Sequence, residues 1–311
     1  MAAQQGAAYD EPTLARFEAV ADAELTAAER IDRDLAIAML RGRVVQAEWQ
    51  GWKRDPLVYS GPIVSGIFGL FLHRLRPEDE LVEAACARLA QARRALEQGR
   101  ANLDPSLADR LIVERAIGSA KGGARYVRDL LPNETAVPEL RERLRAAGAE
   151  AGDALDAWAT WLTGFAAEAH GSWIFGEARY TRILREREQL PYDARGLRDL
   201  GRREFDRLDA EMRAIALRIA GTEDWHEVID RANREDRPLT EEAMRQSYEV
   251  WTARARDFLA REGLVTLPDG EVCLVEPSPV FQRPVIGVAS YMAPPAFSDS
   301  LTGHFFVPFA P

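Results

Sequence analysis

Asp193-Ala-Arg-Gly-Leu-Arg-Asp-Leu-Gly-Arg-Arg-Glu-Phe205-Asp-Arg-Leu208-Asp-Ala-Glu-Met212-Arg-Ala-Ile215-Ala-Leu-Arg-Ile219-Ala-Gly221 decides the fold class. Phe205, Leu208, Met212, Ile215 and Ile219 step by 3, 4, 3 and 4, the period of one helix face. Asp193 suits the N-cap and Gly221 the stop. The apolar stripe is expected to face a core, with the Arg, Asp and Glu face in water. The same pattern extends on both sides. Downstream, Thr240 caps a helix that ends at Gly263. Upstream, helices are expected over Pro12–Trp49, Pro77–Gly99 and from Pro105 to about Gly118, with Tyr59–Pro62 as a loop. After Gly263 the composition changes. Leu264–Leu267, Pro268-Asp-Gly270 and Val272–Val275 read as strand, turn and strand. Val285–Met292 and His304–Phe309 read as two more strands. The expected fold is mainly α: a helical domain over 1–263, then a small β segment over 264–311.

Charge narrows the function. The chain has 311 residues, with 40 Lys and Arg against 50 Asp and Glu, a net charge of -10. No positive excess exists to neutralise phosphates, so neither nucleic acid nor an anionic membrane surface is an expected partner. Cys86 and Cys273 form no disulfide framework and no C-x-x-C pair. Met1–Asp10 has no apolar core of a secretory signal, and Ile63–Leu72 is too short to span a bilayer. The expected location is the cytoplasm.

Chemistry is conspicuous by what is missing. His73, His170, His226 and His304 show no i, i+3 or i, i+4 pairing. His226-Glu-Val-Ile-Asp230 has Asp where H-E-x-x-H needs its second ligand. No nucleophile elbow and no P-loop occur. Neither a metal ligand nor a catalytic residue is assigned in this chain. The sequence stops at Phe306-Val-Pro-Phe-Ala-Pro311, directly after an apolar strand. Such a strand either pairs within its own sheet or finds its partner on another chain.

Three blocks carry a family resemblance. Gly171-Ser-Trp-Ile-Phe-Gly176-Glu-Ala-Arg-Tyr180-Thr-Arg-Ile-Leu184-Arg resembles a G-x-x-x-x-G-x-x-x-Y-x-x-x-L-R segment. Leu197-Arg-Asp-Leu-Gly201-Arg-Arg-Glu-Phe is similar to an E-L-x-x-L-G-x-x-E block. Glu276-Pro-Ser-Pro279-Val-Phe281-Gln-Arg283, Tyr291-Met-Ala-Pro294 and Gly303-His-Phe305-Phe306-Val307 resemble a P-x-F-x-R, Y-x-x-P and G-x-F-x-V series. The family is the bacterial domain-of-unknown-function family numbered 885, whose members resemble gluzincin-type zinc metallopeptidases.

The resemblance implies a neurolysin-like helical half-domain without the H-E-x-x-H half. It further implies the N-terminal subunit of a split metallopeptidase-like hydrolase. Zinc is expected on a second polypeptide, and the substrate would be a peptide or small amide. Gly303–Val307 is expected to be an edge strand that pairs with extended substrate. The implied substrate-binding residues are Arg283, Tyr291, Gly303, His304, Phe305 and Phe306. Arg283 and Tyr291 would offer donors to a carboxylate or oxyanion. The competing reading pairs Arg283 with a structural acid and packs Tyr291. The alternative for the whole chain is a non-catalytic helical binding or scaffold protein, and a gene fragment is a third possibility.

Overall fold

The computed structural model describes residues 2–235, 238, 240–279, 281–283 and 286–308. The helices in chain order are α1 (Ala2–Glu18), α2 (Ala27–Glu48), α3 (Gly51–Arg54), α4 (Leu57–His73), α5 (Glu78–Leu89) and α6 (Ala92–Asn102). They continue as α7 (Arg110–Arg125), α8 (Pro138–Glu168), α9 (Glu177–Arg182), α10 (Ala194–Ala220), α11 (Trp225–Glu235) and α12 (Glu241–Glu262). Three short strands close the order: β1 (Val272–Pro277), β2 (Ser290–Met292) and β3 (Thr302–Val307). The fold is mainly α with a small C-terminal sheet. Among the described residues, no single helix is long and apolar enough to cross a membrane.

Two compact units divide the chain differently from the compositional boundary at Gly263. One holds Met1–Trp52 with Trp173–Arg237; the other holds Lys53–Ser172 with Pro238–Pro311. In the first, α2 packs on α1 and on a π-turn over Ile183–Arg187. Gly42 lies against the Arg187 side-chain stem, and Trp49 meets Trp173 edge-on at 4.7 Å.

α10 forms where the sequence predicts it, but for only part of the predicted reason. Asp193 accepts a hydrogen bond from the Gly196 amide at 2.7 Å, and Gly221 ends the helix at φ 70°. Exposed ion pairs at i, i+4 line it, such as Arg207 with Glu211 and Arg213 with Asp209. The apolar stripe, however, is not buried. Phe205 is 61% exposed and Ile219 67%, and Ala216 is the one residue of α10 that is buried.

The capping amide holds the Asp193 carboxyl below its usual range, with Arg185 and Arg195 adding to this. A carboxyl depressed in the folded state stabilises above its unfolded value and stops doing so as the pH falls through the folded one. Asp193→Ala should therefore lower the unfolding temperature at neutral pH. The gap from the parent should close below about pH 4, as read by thermal melts across pH.

The second unit contains the main core. α8 is 31 residues long; its alanines favour helix, and its glycines, at some cost in helix propensity, let neighbours approach closely. It packs on α7, α5 and α6 around Leu144, Leu155, Trp158 and Leu162, all fully buried. Gly148 lies directly against the backbone of Val127, in a π-turn over Tyr126–Leu130. Trp158 stacks on Trp161 at 5.1 Å and meets Tyr59 edge-on.

The structure corrects several expectations. Tyr59–Pro62 is helical, because Ile63, Val64, Ile67 and Phe71 of α4 are buried and their packing overrides the local turn signal. The helix expected over Pro77–Gly99 is divided into α5 and α6 at Ala90 and Gln91. Leu264–Leu267 forms no strand: Leu264 and Val265 are exposed, and no ladder engages them. The strand expected over Val285–Met292 shortens to β2, with Val285 outside the described residues. Phe309 also lies outside them.

Candidate functional site

The predicted site residues gather around the sheet. Its strand order is β1-β3-β2, with β3 parallel to β1 and antiparallel to β2. Gly303–Val307 is thus the middle strand, not an edge. Its main-chain groups pair with β1 along the whole strand and with β2 over His304–Phe306, so an extended substrate has no full-length place beside it. The outer edges belong to β1 and to the three-residue β2.

Alternation along β3 sorts the predicted residues onto two faces. His304 and Phe306 point to α4, where His304 meets His73 at 6.2 Å and Phe306 meets Phe68 at 6.0 Å. Both are buried, at 7% and 3% exposure. Phe281 completes this aromatic seam, 5.2 Å from Phe68 and 5.0 Å from Tyr126. Phe306 is therefore a core residue. Burial pushes the Tyr126 phenol pKa up, with a further push from Glu134.

Gly303 and Phe305 face the other way. Tyr291 sits opposite Phe305 in the β2–β3 register. Its ring and hydroxyl cross over Gly303, where any Cβ would collide with them. A glycine is required here by space. Tyr248 of α12 meets Phe305 edge-on at 5.6 Å. Tyr291 remains 56% exposed.

Arg283 lies apart from both groups. Its Nε donates to the Ser278 carbonyl at 2.9 Å and its guanidinium pairs with Glu241 at 2.5 Å. That contact ties the segment before β2 to the start of α12. Arg283 is thus paired with a carboxylate, and Tyr291 lies over Gly303.

Sequence reasoning missed two neighbours of His304. Its Nδ1 hydrogen-bonds the Glu276 carboxylate at 2.6 Å, and His73 stands edge-on behind it. Burial lowers the His73 pKa, and His304 lowers it further. Glu276 heads one of the resembling blocks, yet its partner is 28 positions away. No spacing rule links His73 to either. Among the described residues, no group of three or more His, Cys, Asp or Glu could hold a metal ion. This set of donors does not fit zinc.

The face carrying Phe305 continues into apolar surface. α12 has no buried residue. Val250 is 65% exposed, Trp251 60% and Phe258 47%. Met244, Tyr248, Trp251, Ala255 and Phe258 recur at 4, 3, 4 and 3, a seam suited to a partner.

Comparison with known proteins bears on family and fold. The family model described as "Bacterial protein of unknown function (DUF885)" matches residues 1–310, essentially the whole chain. No curated protein matches. A solved structure of a candidate lipoprotein of unknown function from Shewanella oneidensis is similar, with a TM-score of 0.69 at 17% identity. The alignment covers 98% of this chain and 57% of that one, so the chain spans little more than half of the neighbour's length. At this identity the likeness speaks for the fold.

Proposed function

The chain belongs to the DUF885 family, and from that premise we propose that it is the substrate-side half of a metallopeptidase-like hydrolase. In this reading the zinc-bearing half is a separate polypeptide that carries H-E-x-x-H. It docks over α12 and the Phe305 face of the sheet. The carrying observation is the exposed seam of Tyr248, Trp251 and Phe258 on α12, which Tyr248 joins to Phe305. A soluble surface that concentrates aromatics in this way fits a permanent interface, which is more apolar than ordinary surface.

Two further observations support the reading. Among the described residues no group of His, Cys, Asp or Glu could hold a metal ion, and in this reading the zinc comes with the partner. The fold also recurs as 57% of a longer chain. This chain's contribution would be shape and polar contacts. Tyr291 and Phe305, paired in register on one face, would line the cleft that receives a peptide or small amide. The substrate backbone would add to β1, whose six residues form an outer edge, in place of β3. We place the complex in the cytoplasm.

A scaffold reading has its own observations: Arg283 is engaged with Glu241 and Ser278, and Tyr291 packs over Gly303. It predicts peptide binding without turnover.

The experiment mixes this chain with the product of a neighbouring reading frame that encodes H-E-x-x-H. A stable one-to-one complex with zinc and amide hydrolysis is expected. The double variant Trp251→Glu, Phe258→Glu should leave the lone chain folded, because both residues are exposed, and should abolish the complex. A complex that forms equally well with the double variant would contradict the docking face.

A further inference from the structure

A cavity of about 440 Å³ lies in the second unit, between α4 and α5. Its origin is legible in the spacing. On α4, Gly66, Gly69 and His73 lie three and four apart, so they share one face. On α5, Leu81, Ala84 and Arg88 do the same. Small residues at Gly66, Gly69 and Ala84 keep the two helices from filling the space between them. Leu75 and Arg76, in the turn after α4, close one end.

The lining is chemically one-sided. It contains Arg76, Arg88 and His73 and not one carboxylate, in a chain whose net charge is -10. Arg88 lines the cavity and donates to the Gly66 carbonyl through one of its five N–H groups. Arg76 makes only a loose ion pair with Glu80, at 3.8 Å. The partly buried His73 has its pKa lowered by burial and by His304. As a neutral imidazole it offers a hydrogen bond without a charge to bury. The remaining surface is aliphatic, chiefly Leu70, Leu75 and Leu81. A pocket of this size with apolar walls and a few convergent polar groups is typical of small-molecule sites.

We propose that this cavity binds an aliphatic monocarboxylate. The carboxylate lies among Arg76, Arg88 and His73, and the alkyl arm runs along Leu70, Leu75 and Leu81. Guanidinium donors match the planar, two-oxygen head, and charge-assisted bonds are the stronger kind. The site is independent of the zinc-partner reading, since none of its residues belongs to the sheet or to α12.

Titration calorimetry on the full chain tests it, with sodium octanoate as the probe and octan-1-ol and octylamine as controls. Octanoate should bind saturably at one site, and the two controls should not. Arg88→Gln should weaken octanoate by about tenfold, the loss of one charge-assisted hydrogen bond. Gly69→Leu should abolish binding with the unfolding temperature kept, because no atom lies within 4 Å of a Cβ placed there. Three results would overturn the proposal: octanol binding as tightly as octanoate, full affinity in Arg88→Gln, or no saturable binding up to the solubility limit of octanoate.

Discussion

Phe306→Ala is expected to cost about 3–5 kcal/mol of folding stability, the usual loss for a fully buried phenylalanine. Phe306 is 3% exposed and stands against Phe68 in a seam that also contains Phe281 and Tyr126. That seam attaches the sheet to α4. Truncation would leave a cavity at the joint, where three other rings are held by their own contacts and cannot collapse into it. Phe305→Ala is the matched control. Its ring is only partly buried and meets Tyr248 on the open face. It should cost much less stability and act on partner or substrate binding. Chemical denaturation of both variants reads the contrast. Equal losses would mean that β3 does not present its two faces as described.

Gly148→Ala separates packing from propensity. Alanine is about 1 kcal/mol better than glycine inside a helix, so propensity alone predicts a more stable protein. Space predicts the opposite. A Cβ at residue 148 would strike the Val127 carbonyl oxygen and sit 3.0 Å from its carbon. The obstacle is backbone, held in the π-turn, and it cannot swing aside like the end of a side chain. Overpacking of this kind costs up to about 3 kcal/mol, leaving a net loss of about 2 kcal/mol. The midpoint of urea unfolding should fall. A midpoint that rises would show that α8 and the Tyr126–Leu130 turn can move apart freely.

The helices were legible because caps and period act locally. Asp193, Thr240, Gly221 and Gly263 all sit at the ends where the sequence places them. Burial was not legible in the same way. The stripe of α10 has a core-facing period, yet Phe205 and Ile219 are exposed, because period reports a face and not what covers it. Register was also hidden. Strand signals mark Gly303–Val307, but the strand's place in the middle of the sheet depends on β1 and β2, which lie elsewhere in the chain. The His304–Glu276 pair follows from that parallel register, which sets Leu274 and Glu276 opposite His304 and Phe306. The Gly303 requirement is clear only once Tyr291 is seen across it. The cavity between α4 and α5 was hidden too. Glycines inside an apolar helix read as weak points, and the missing volume shows only when α5 is placed opposite them.

The most direct test of the proposed function is amide hydrolysis by the purified complex of this chain with its H-E-x-x-H partner, with zinc measured on the same sample. The account predicts about one zinc per complex, and turnover that a chelator removes and added zinc restores. Turnover should be absent from either chain alone. A partner that binds zinc and hydrolyses amides at the same rate with or without this chain would contradict it.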